Sequence, residues 1–185
     1  MDFDTAYGHL KNHLRVDPGR FYYGGTGLSL GVGQFYLDVH FPIFNEDDQS
    51  FDTAIGIAYI LTHECDIDQN NRRPFNTYLL ICPVIDFRNF VTELQPLFSE
   101  SDFISFLARV GKREVSRLIY IPHYQPHLPY GGLLYLNRIT HTHVNVFANE
   151  SVKRICSVTN YGLKEIDAAL ENHLLRPKDE QLAGT

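Results

Sequence analysis

The chain has 185 residues, a length that one domain of ordinary size accounts for. Its 44% hydrophobic and 21% charged residues are the proportions of a globular protein and exclude disorder. A net charge of −6 argues against nucleic acid as the main ligand, because it repels a polyanion. The longest apolar run, 54–61, is far shorter than the roughly 20 residues of a membrane-spanning helix, so we expect no membrane association.

The N-terminus and the cysteines predict the compartment. Met1-Asp2-Phe3-Asp4 is acidic and lacks the basic and then apolar order of a signal peptide. Three cysteines are an odd number, which is unusual for a secreted, disulfide-bonded domain. Together these features predict reduced thiols and a cytoplasmic location.

In chain order, the first predicted element is an N-terminal helix within 1–16. Apolar side chains recur there at spacings of four, three and four residues, which places them on one helical face: Phe3, Tyr7, Leu10 and Leu14. We expect Pro18 and Gly19 to end this helix, because proline disfavours helical geometry in the residue before it.

A β-rich core is predicted over 32–158. Residues 34–41 alternate between apolar and polar side chains, as in a half-buried strand. Residues 54–62 are apolar on both faces, so we expect a central strand that is fully covered. The strand expected at 78–85 contains Pro83, which suggests an edge or a bulge. Further strands are expected at 116–121, 133–136, 139–147 and 152–158.

Helices are predicted to interrupt and close this core. We expect a helical insert at about 87–112, with Ser101-Asp102 as the cap of its second helix. A C-terminal helix over 159–176 begins at a cap at Thr159 or Asn160, and the tail 177–185 is expected to fray.

No repeat or linker divides the chain, so we predict a single domain over 1–185. The order of the elements is helix, several strands, a short helical insert, more strands, helix. Seven or so short strands with polar turns indicate the α+β class, mainly β. The architecture is either a strongly bent antiparallel sheet or a small barrel, with the helices covering its ends.

Four consecutive side chains that can transfer protons, act as nucleophiles or bind a metal follow the predicted strand 54–62. They are His63, Glu64, Cys65 and Asp66. A thiolate is the reactive form of cysteine and a neighbouring imidazolium stabilises it, so a Cys-His dyad is possible here. On an extended chain, however, the spacing of two residues is poor for a direct hydrogen bond. The alternative is that Cys65 packs as a small hydrophobe while His63 and the acids fix a turn.

A zinc site is a second possibility. His141-Thr142-His143 places two imidazoles on one face of a predicted strand. If that strand lay beside His63 and Cys65, the four side chains would form a tetrahedral site with three histidines and one cysteine. The Cys-x-x-Cys spacing that is typical of zinc sites is missing, and no other cofactor is expected.

Two further patterns are weak indications of nucleotide or nucleic-acid binding. The glycines between 24 and 33 follow a helix and precede a strand, which is the wrong order for a phosphate-binding loop. A solvated face is the favoured interpretation of the basic residues. They form three short groups: Arg72-Arg73, Lys112-Arg113 with Arg117, and Lys153-Arg154.

The segment Tyr59-Ile60-Leu61-Thr62-His63-Glu64-Cys65-Asp66-Ile67 resembles a "Val/Ile-Leu-(Ser/Thr)-x-x-Cys-Asp-(Ile/Leu)" strand end. This pattern occurs in uncharacterised prokaryotic proteins with a PemK/MazF-like, SH3-like barrel, which tend to be encoded beside toxin–antitoxin and phage-defence genes. The resemblance covers roughly 32–176. Later segments of the chain are similar to strands of the same proteins: Tyr120-Ile121-Pro122, Leu128-Pro129, Gly131 to Ile139, and Lys153-Arg154-Ile155.

The resemblance implies an SH3-like barrel with the terminal helix packed across it. PemK-like ribonucleases cut RNA with an arginine and a hydroxyl or acid near an early strand, on a positive dimer groove. In this chain no arginine lies between Arg20 and Arg72, and the net charge is −6. Ribonuclease activity is therefore not expected.

Two functions remain. The first is a non-catalytic accessory or protein-interaction subunit of a prokaryotic defence or toxin-like assembly, with a larger ATPase or nuclease subunit, or a second copy of the chain, as partner. It rests on the resemblance, the acidic charge and the 11 tyrosines, since tyrosine is favoured at protein interfaces. The second is an enzyme, a nuclease-like or thiol-dependent hydrolase that uses His63, Cys65 and Asp66.

Overall fold

The computed structural model describes residues 1–24, 28–45, 47–68, 70 and 77–175. Eight strands lie in these ranges: β1 (Tyr22–Tyr23), β2 (Gln34–Asn45), β3 (Ser50–Ile60), β4 (Tyr78–Asp86), β5 (Leu118–Ile121), β6 (Gly132–Tyr135), β7 (Thr140–His143) and β8 (Lys153–Val158). The α-helices in the same ranges are α1 (Phe3–Lys11), α2 (Pro18–Phe21), α3 (Glu64–Ile67), α4 (Phe87–Leu94), α5 (Glu100–Gly111) and α6 (Asn160–Leu174).

All strand pairs are antiparallel, and the strand order is β1–β8–β2–β3–β4–β6–β5, with β7 added to β4. β7 turns back toward β2, where the Thr142 hydroxyl donates to the carbonyl oxygen of His40 at 3.0 Å. Among the described residues no ladder joins β7 to β2, so the sheet stays open. The α+β, mainly β class is confirmed in the form of the bent antiparallel sheet. The SH3-like barrel is not formed.

β4 joins the two halves of the sheet. Its first part pairs with β3 and β7, and its last residues, from Val84 to Asp86, pair with β6. Pro83 has no N–H to donate and lies where the partner strand changes. The irregularity expected at Pro83 is therefore a change of partner within one strand.

Three apolar clusters stabilise the fold. On one face of the sheet, Phe35, Tyr59 and Cys82 pack against Ile166 of α6. On the other face of the same strands, Phe41, Ile60 and Ile81 form a second cluster. The third cluster lies between β4, β6 and the helices α1, α4 and α5; its fully buried members include Leu10, Phe87, Phe103, Leu107 and Leu133. Each fully buried side chain of this size contributes about 1.5–3 kcal/mol.

The N-terminal helix is shorter than its apolar pattern predicts. α1 ends at Lys11, and Asn12 is its C-cap. Pro18 does not end this helix but begins α2, where its missing N–H costs nothing because the first helical turn leaves that donor without a partner.

Two strand predictions are wrong in part. β3 begins at Ser50, before the predicted strand 54–62, and that strand is not fully covered, since Ile55 is exposed. The strand expected at 139–147 ends at His143, and a 3-10 helix, Val144–Ala148, follows it. The His143 ring nitrogen Nδ1 accepts from the N–H of Asn145 at 3.2 Å and caps that turn.

The helical insert and the C-terminal helix lie where the sequence predicts them. α4 and α5 fall within 87–112, although the cap of α5 is Ser99 instead of Ser101. Thr159 caps α6 by accepting from the N–H of Gly162. The predicted frayed tail 177–185 lies outside the described residues. None of the helices in the described ranges is long and apolar enough to cross a membrane.

Candidate functional site

The end of β3 leads directly into the segment 63–66, which contains the candidate catalytic side chains. The strand ends at Ile60, and the N–H of Leu61 still donates to the carbonyl oxygen of Leu80 at 2.9 Å. The Thr62 hydroxyl then accepts from the N–H of Leu80 at 2.6 Å and takes the place of the next ladder bond. His63 follows as the N-cap of α3. The strand thus holds the start of this short helix against β4.

The turn into α3 brings His63 and Cys65 together. His63 Nδ1 lies 2.9 Å from Cys65 Sγ and 3.4 Å from the Cys65 backbone nitrogen. The spacing that is poor for a hydrogen bond on an extended chain is good here, because a helix begins between the two residues. Cys65 is exposed, so the alternative in which it packs as a small hydrophobe is wrong. The part of that interpretation in which His63 fixes a turn is correct.

The carboxylate of Glu64 lies beside the His63 imidazole. Its Oε2 atom lies 3.6 Å from His63 Nδ1, and both side chains are more than half exposed. An ion pair this exposed contributes little stability, about 0–1 kcal/mol. The acid expected in this position from the sequence was Asp66, which follows Cys65 on the same short helix.

An open cavity of about 410 Å³ lies between α3 and the segment 28–33, and Cys65 is one of the residues that line it. Buried Gln34 holds this segment in place. Its amide nitrogen donates to the Ser29 carbonyl at 2.5 Å, and its amide oxygen accepts from the N–H of Gly31 at 3.3 Å. The segment approaches α3 so closely that a Cβ on Gly31 would lie 2.9 Å from the Cβ of Glu64.

The other two cysteines differ sharply from Cys65. Cys82 and Cys156 are buried in the cluster beneath α6, and burial raises the pKa of both thiols to about 12. They are therefore protonated and unreactive at neutral pH. None of the three cysteines forms a disulfide.

His141 and His143 lie on one face of β7, as their spacing predicts, but their neighbour is a tyrosine. The Tyr78 ring contacts both imidazoles edge-on, with centroid distances of 5.7 Å to His141 and 5.4 Å to His143. In the part of the chain that the structure describes, no group of three His, Cys, Asp or Glu side chains has the geometry of a metal site. The structure thus does not join this pair to His63 and Cys65 as one set of zinc ligands.

The basic groups have structural partners in several cases. Arg154 donates to the carbonyl oxygen of Leu28 at 2.9 Å, and Arg113 forms an ion pair with Glu165 at 2.5 Å. Arg72-Arg73 lies outside the described residues.

The outer face of the β2–β3 hairpin is a feature that the sequence analysis did not find. Phe44 lies opposite Phe51 with ring centroids 5.3 Å apart, and Phe51 and Ile55 are 77% and 60% exposed. Five exposed side chains alternate along the two strands and define what we call the hairpin face: Pro42, Phe44, Phe51, Thr53 and Ile55.

The hairpin face continues one face of the core. Tyr59 and Ile57 lie on the same side of β3 and belong to the cluster that α6 covers, whereas Ile55 lies beyond that cover. On the opposite side of the hairpin, Phe41 and Ile43 pack against the cluster that contains Val146. The hairpin is therefore anchored through one face while the other is open to solvent.

Comparison with known proteins gives no relative. No protein-family model, no curated protein and no solved structure matches the chain.

Proposed function

We propose that this protein is an interaction subunit that binds a protein partner through the hairpin face. The observation that carries the proposal is the exposure of Phe44, Phe51 and Ile55 on adjacent positions of one sheet face. Isolated exposed apolar side chains are common, but adjacent ones with aromatic rings in contact are typical of binding surfaces.

The hairpin also has backbone groups available to a partner. In the described part of the chain, β3 pairs with β4 only from Ala58 onward, and β2 pairs with β8 only as far as Leu37. The outer part of the hairpin is therefore a two-stranded ribbon without a further ladder partner among the described strands, apart from the Thr142 bond to His40, and such edges recruit a further strand or a covering chain.

The charge around the hairpin face indicates the charge expected of the partner. No lysine or arginine occurs between Arg20 and Arg72, whereas Asp47, Asp48 and Asp52 lie at or beside the hairpin turn. The hairpin face is thus apolar with an acidic border. A complementary partner presents an apolar surface bordered by basic side chains, since electrostatic complementarity sets specificity and association rate.

The wider setting is part of the same proposal. From the resemblance of residues 59–67 to PemK/MazF-like proteins alone, since the barrel that it implies is not formed, we propose a prokaryotic defence or toxin-like assembly with an ATPase or nuclease subunit as the partner. The absence of disulfides among the three cysteines fits a reducing compartment, and we place the protein in the cytoplasm.

The experiment is an affinity purification of the tagged protein from its host at moderate salt, carried out with three forms of the chain. These are the wild type, Phe51→Asp, and Leu97→Asp as a matched control. Leu97 is 73% exposed and lies between α4 and α5, far along the chain from the hairpin. We expect one stoichiometric partner with the wild type and with the control, and its loss with Phe51→Asp.

The amount of partner retained by the tagged protein is also expected to depend on the salt concentration. Raising the ionic strength from about 0.1 to about 0.5 M is expected to weaken the complex, because screening reduces the attraction to the acidic border. Retention of the partner by Phe51→Asp, or loss of the partner from the Leu97→Asp control as well, contradicts the proposal. Recovery of the wild-type chain without any partner does so too.

A thiol-dependent hydrolase is the second candidate, and it is favoured by the 2.9 Å contact between His63 Nδ1 and Cys65 Sγ beside an open cavity. In that reaction the thiol proton moves to His63 Nδ1 and the sulfur attacks a carbonyl carbon. The leaving group takes the proton, and water then hydrolyses the thioester.

The hydrolase is tested with p-nitrophenyl acetate. A catalytic Cys65 gives a burst of about one equivalent of p-nitrophenol and an acetyl group on Cys65, both of which Cys65→Ala removes. Since Cys65 is exposed, this variant is expected to fold normally. Absence of acetylated Cys65 by mass spectrometry eliminates the thiol mechanism and leaves the interaction subunit.

A further inference from the structure

A basic cleft lies between α6 and the segment that joins α5 to β5, away from the hairpin face and from Cys65. Its larger cavity, about 410 Å³, is lined among others by Phe106, Arg109, Arg117 and His173. A smaller cavity of about 200 Å³, lined among others by Arg15 and Arg113, shares Val115 and Ser116 with it as a common wall. We call the two together the arginine cleft.

The arginine cleft has more positive than negative charge, in a chain whose net charge is −6. Arg109 pairs with Glu114 at 3.9 Å, and Arg113 pairs with Glu165 at 2.5 Å. Within the described ranges, no carboxylate lies within ion-pair distance of Arg15 or Arg117. Among the described residues, only Arg113 is held closely by a carboxylate. The pair of Arg109 with Glu114 is long and exposed to solvent, and an anion in the cleft can replace it.

Two residues that line the cavities contain a buried polar atom without a hydrogen-bond partner among the described residues. In the described part of the chain, four buried side-chain nitrogen or oxygen atoms have no such partner, and two of them are Arg113 Nη2 and His173 Nδ1. Leaving a buried polar group unsatisfied is costly, so native proteins rarely do so without a water or ligand to bond it. Both atoms belong to residues of the arginine cleft.

The conformation of Arg113 is also unusual. Its φ is +62°, in the left-handed region that few residues other than glycine adopt. Its Nη1 atom donates to the Glu165 backbone carbonyl at 3.2 Å, in addition to the ion pair with the Glu165 carboxylate. The guanidinium is therefore held against α6 at Glu165, and such fixed side chains are typical of a preformed binding site.

We propose that the arginine cleft binds a small molecule that carries a phosphate group. Guanidinium groups recognise phosphate through paired, charge-assisted hydrogen bonds, and the larger cavity is lined by two such groups, Arg109 and Arg117. The Phe106 ring and Val115 give the larger cavity an apolar wall for the organic part of the ligand. A volume of about 410 Å³ lies within the range of small-molecule sites.

Size and charge favour a small ligand over a nucleic acid. An extended polyanion follows a long positive groove and meets the repulsion of an acidic chain along its length. The larger cavity of the arginine cleft has a volume of only about 410 Å³, and its two arginines lie in the same cavity as the Phe106 ring. A single phosphate with one attached group matches these dimensions.

The test is isothermal titration of the full chain with two probes, inorganic phosphate and AMP, at fixed low ionic strength. The variants are Arg117→Ala and Arg109→Ala. The matched control is Arg138→Ala, because Arg138 is exposed, lies over the Tyr135 ring at 5.5 Å, and does not line the cleft. We expect saturable binding that each cleft variant weakens about tenfold and the control leaves unchanged.

Comparison of inorganic phosphate with AMP shows whether the cleft recognises the phosphate alone or also the group attached to it. Equal affinities for phosphate and AMP identify the phosphate itself as the recognised chemistry, whereas tighter binding of AMP assigns the attached group to the Phe106 wall. Failure of both probes to bind the wild type overturns the proposal, as does an Arg117→Ala variant that binds normally. Binding of a single-stranded oligonucleotide without binding of AMP replaces it with a nucleic-acid surface.

Discussion

At one end of the sheet, β4 and β6 are covered by α1, α4 and α5, and the aromatic side chains Phe87 and Phe103 are fully buried. At the other end, the β2–β3 hairpin carries aromatic side chains of the same kind, Phe44 and Phe51, on a face that no described helix covers. The two regions have the same kind of apolar residue and the opposite accessibility. What separates core from surface here is the position of the helices.

The difference has an energetic consequence. Burial of an aromatic side chain stabilises the folded state, whereas exposure of the same side chain contributes almost nothing to folding. An exposed aromatic pair such as Phe44 and Phe51 therefore adds little to stability, and binding is the role that we propose for it. The covered end maintains the fold, and the hairpin is available for recognition.

The largest expected effect contrasts one phenylalanine from each region. Phe103→Ala removes a fully buried ring from the cluster between α5 and β6, and we expect it to lower the free energy of unfolding by about 3–5 kcal/mol. Phe51→Ala is expected to change it by less than about 0.5 kcal/mol, because Phe51 is exposed. Urea unfolding followed by circular dichroism measures both. Similar losses for the two variants would show that the hairpin face is covered in solution.

Two glycines allow a second contrast. Gly131 has a φ of +77°, and a Cβ there would lie 2.3 Å from the carbonyl oxygen of Ile121, so Gly131→Ala is expected to cost about 2–4 kcal/mol. Gly56 lies in the hairpin, where a Cβ would meet the Phe41 ring at an ordinary 3.7 Å. Gly56→Ala is expected to be neutral or to stabilise by up to about 1 kcal/mol. Thermal unfolding distinguishes these outcomes, and a destabilised Gly56→Ala would contradict the described hairpin.

A third contrast lies within β2 itself. Gln34 at its buried end bonds Ser29 and Gly31, so Gln34→Ala leaves their backbone groups without a partner and is expected to cost about 1–3 kcal/mol. Asn45 at the exposed end bonds Asp52 at 3.1 Å, and Asn45→Ala is expected to cost less than about 0.5 kcal/mol. Equal effects in urea unfolding would show that the segment 28–33 does not depend on Gln34.

The sequence predicts the elements of this fold better than it predicts their environment. The periodicity of α1 and of α6 and the alternation in β2 locate helices and strands because these patterns are local. The exposure of Phe51 and Ile55 depends on how far α6 reaches over the sheet, which no local pattern contains. A visible signal existed in the alternation of Phe51, Thr53 and Ile55, but on its own it is equally typical of a buried face.

The candidate site shows the same limit. The sequence correctly indicates that His63 and Cys65 lie at a strand end, but their contact depends on a helix of four residues, Glu64–Ile67. Such a helix is too short to have a periodic signal. The arginine cleft combines Arg15, Arg117 and His173, which are far apart in the chain, and only the packing of α6 brings them to one place.

The three cysteines also differ in accessibility, since Cys82 and Cys156 are buried and Cys65 is exposed. The effect expected from this difference is the smallest of those predicted here. Iodoacetamide at about pH 7 is expected to modify Cys65 alone, since burial raises the pKa of Cys82 and Cys156 to about 12. His63→Gln removes the base 2.9 Å from Cys65 Sγ and is expected to slow the alkylation about fivefold, the equivalent of one hydrogen bond of about 1 kcal/mol.

Mass spectrometry of the intact chain follows this reaction, and His141→Gln is the matched control because its imidazole is exposed on β7. A rate that falls with His63→Gln and not with His141→Gln assigns the effect to the local contact. An unchanged rate shows that the imidazole only caps α3, which removes the thiol hydrolase. The hairpin face would then be the better-supported of the two candidate sites, because its exposure is independent of any proton transfer.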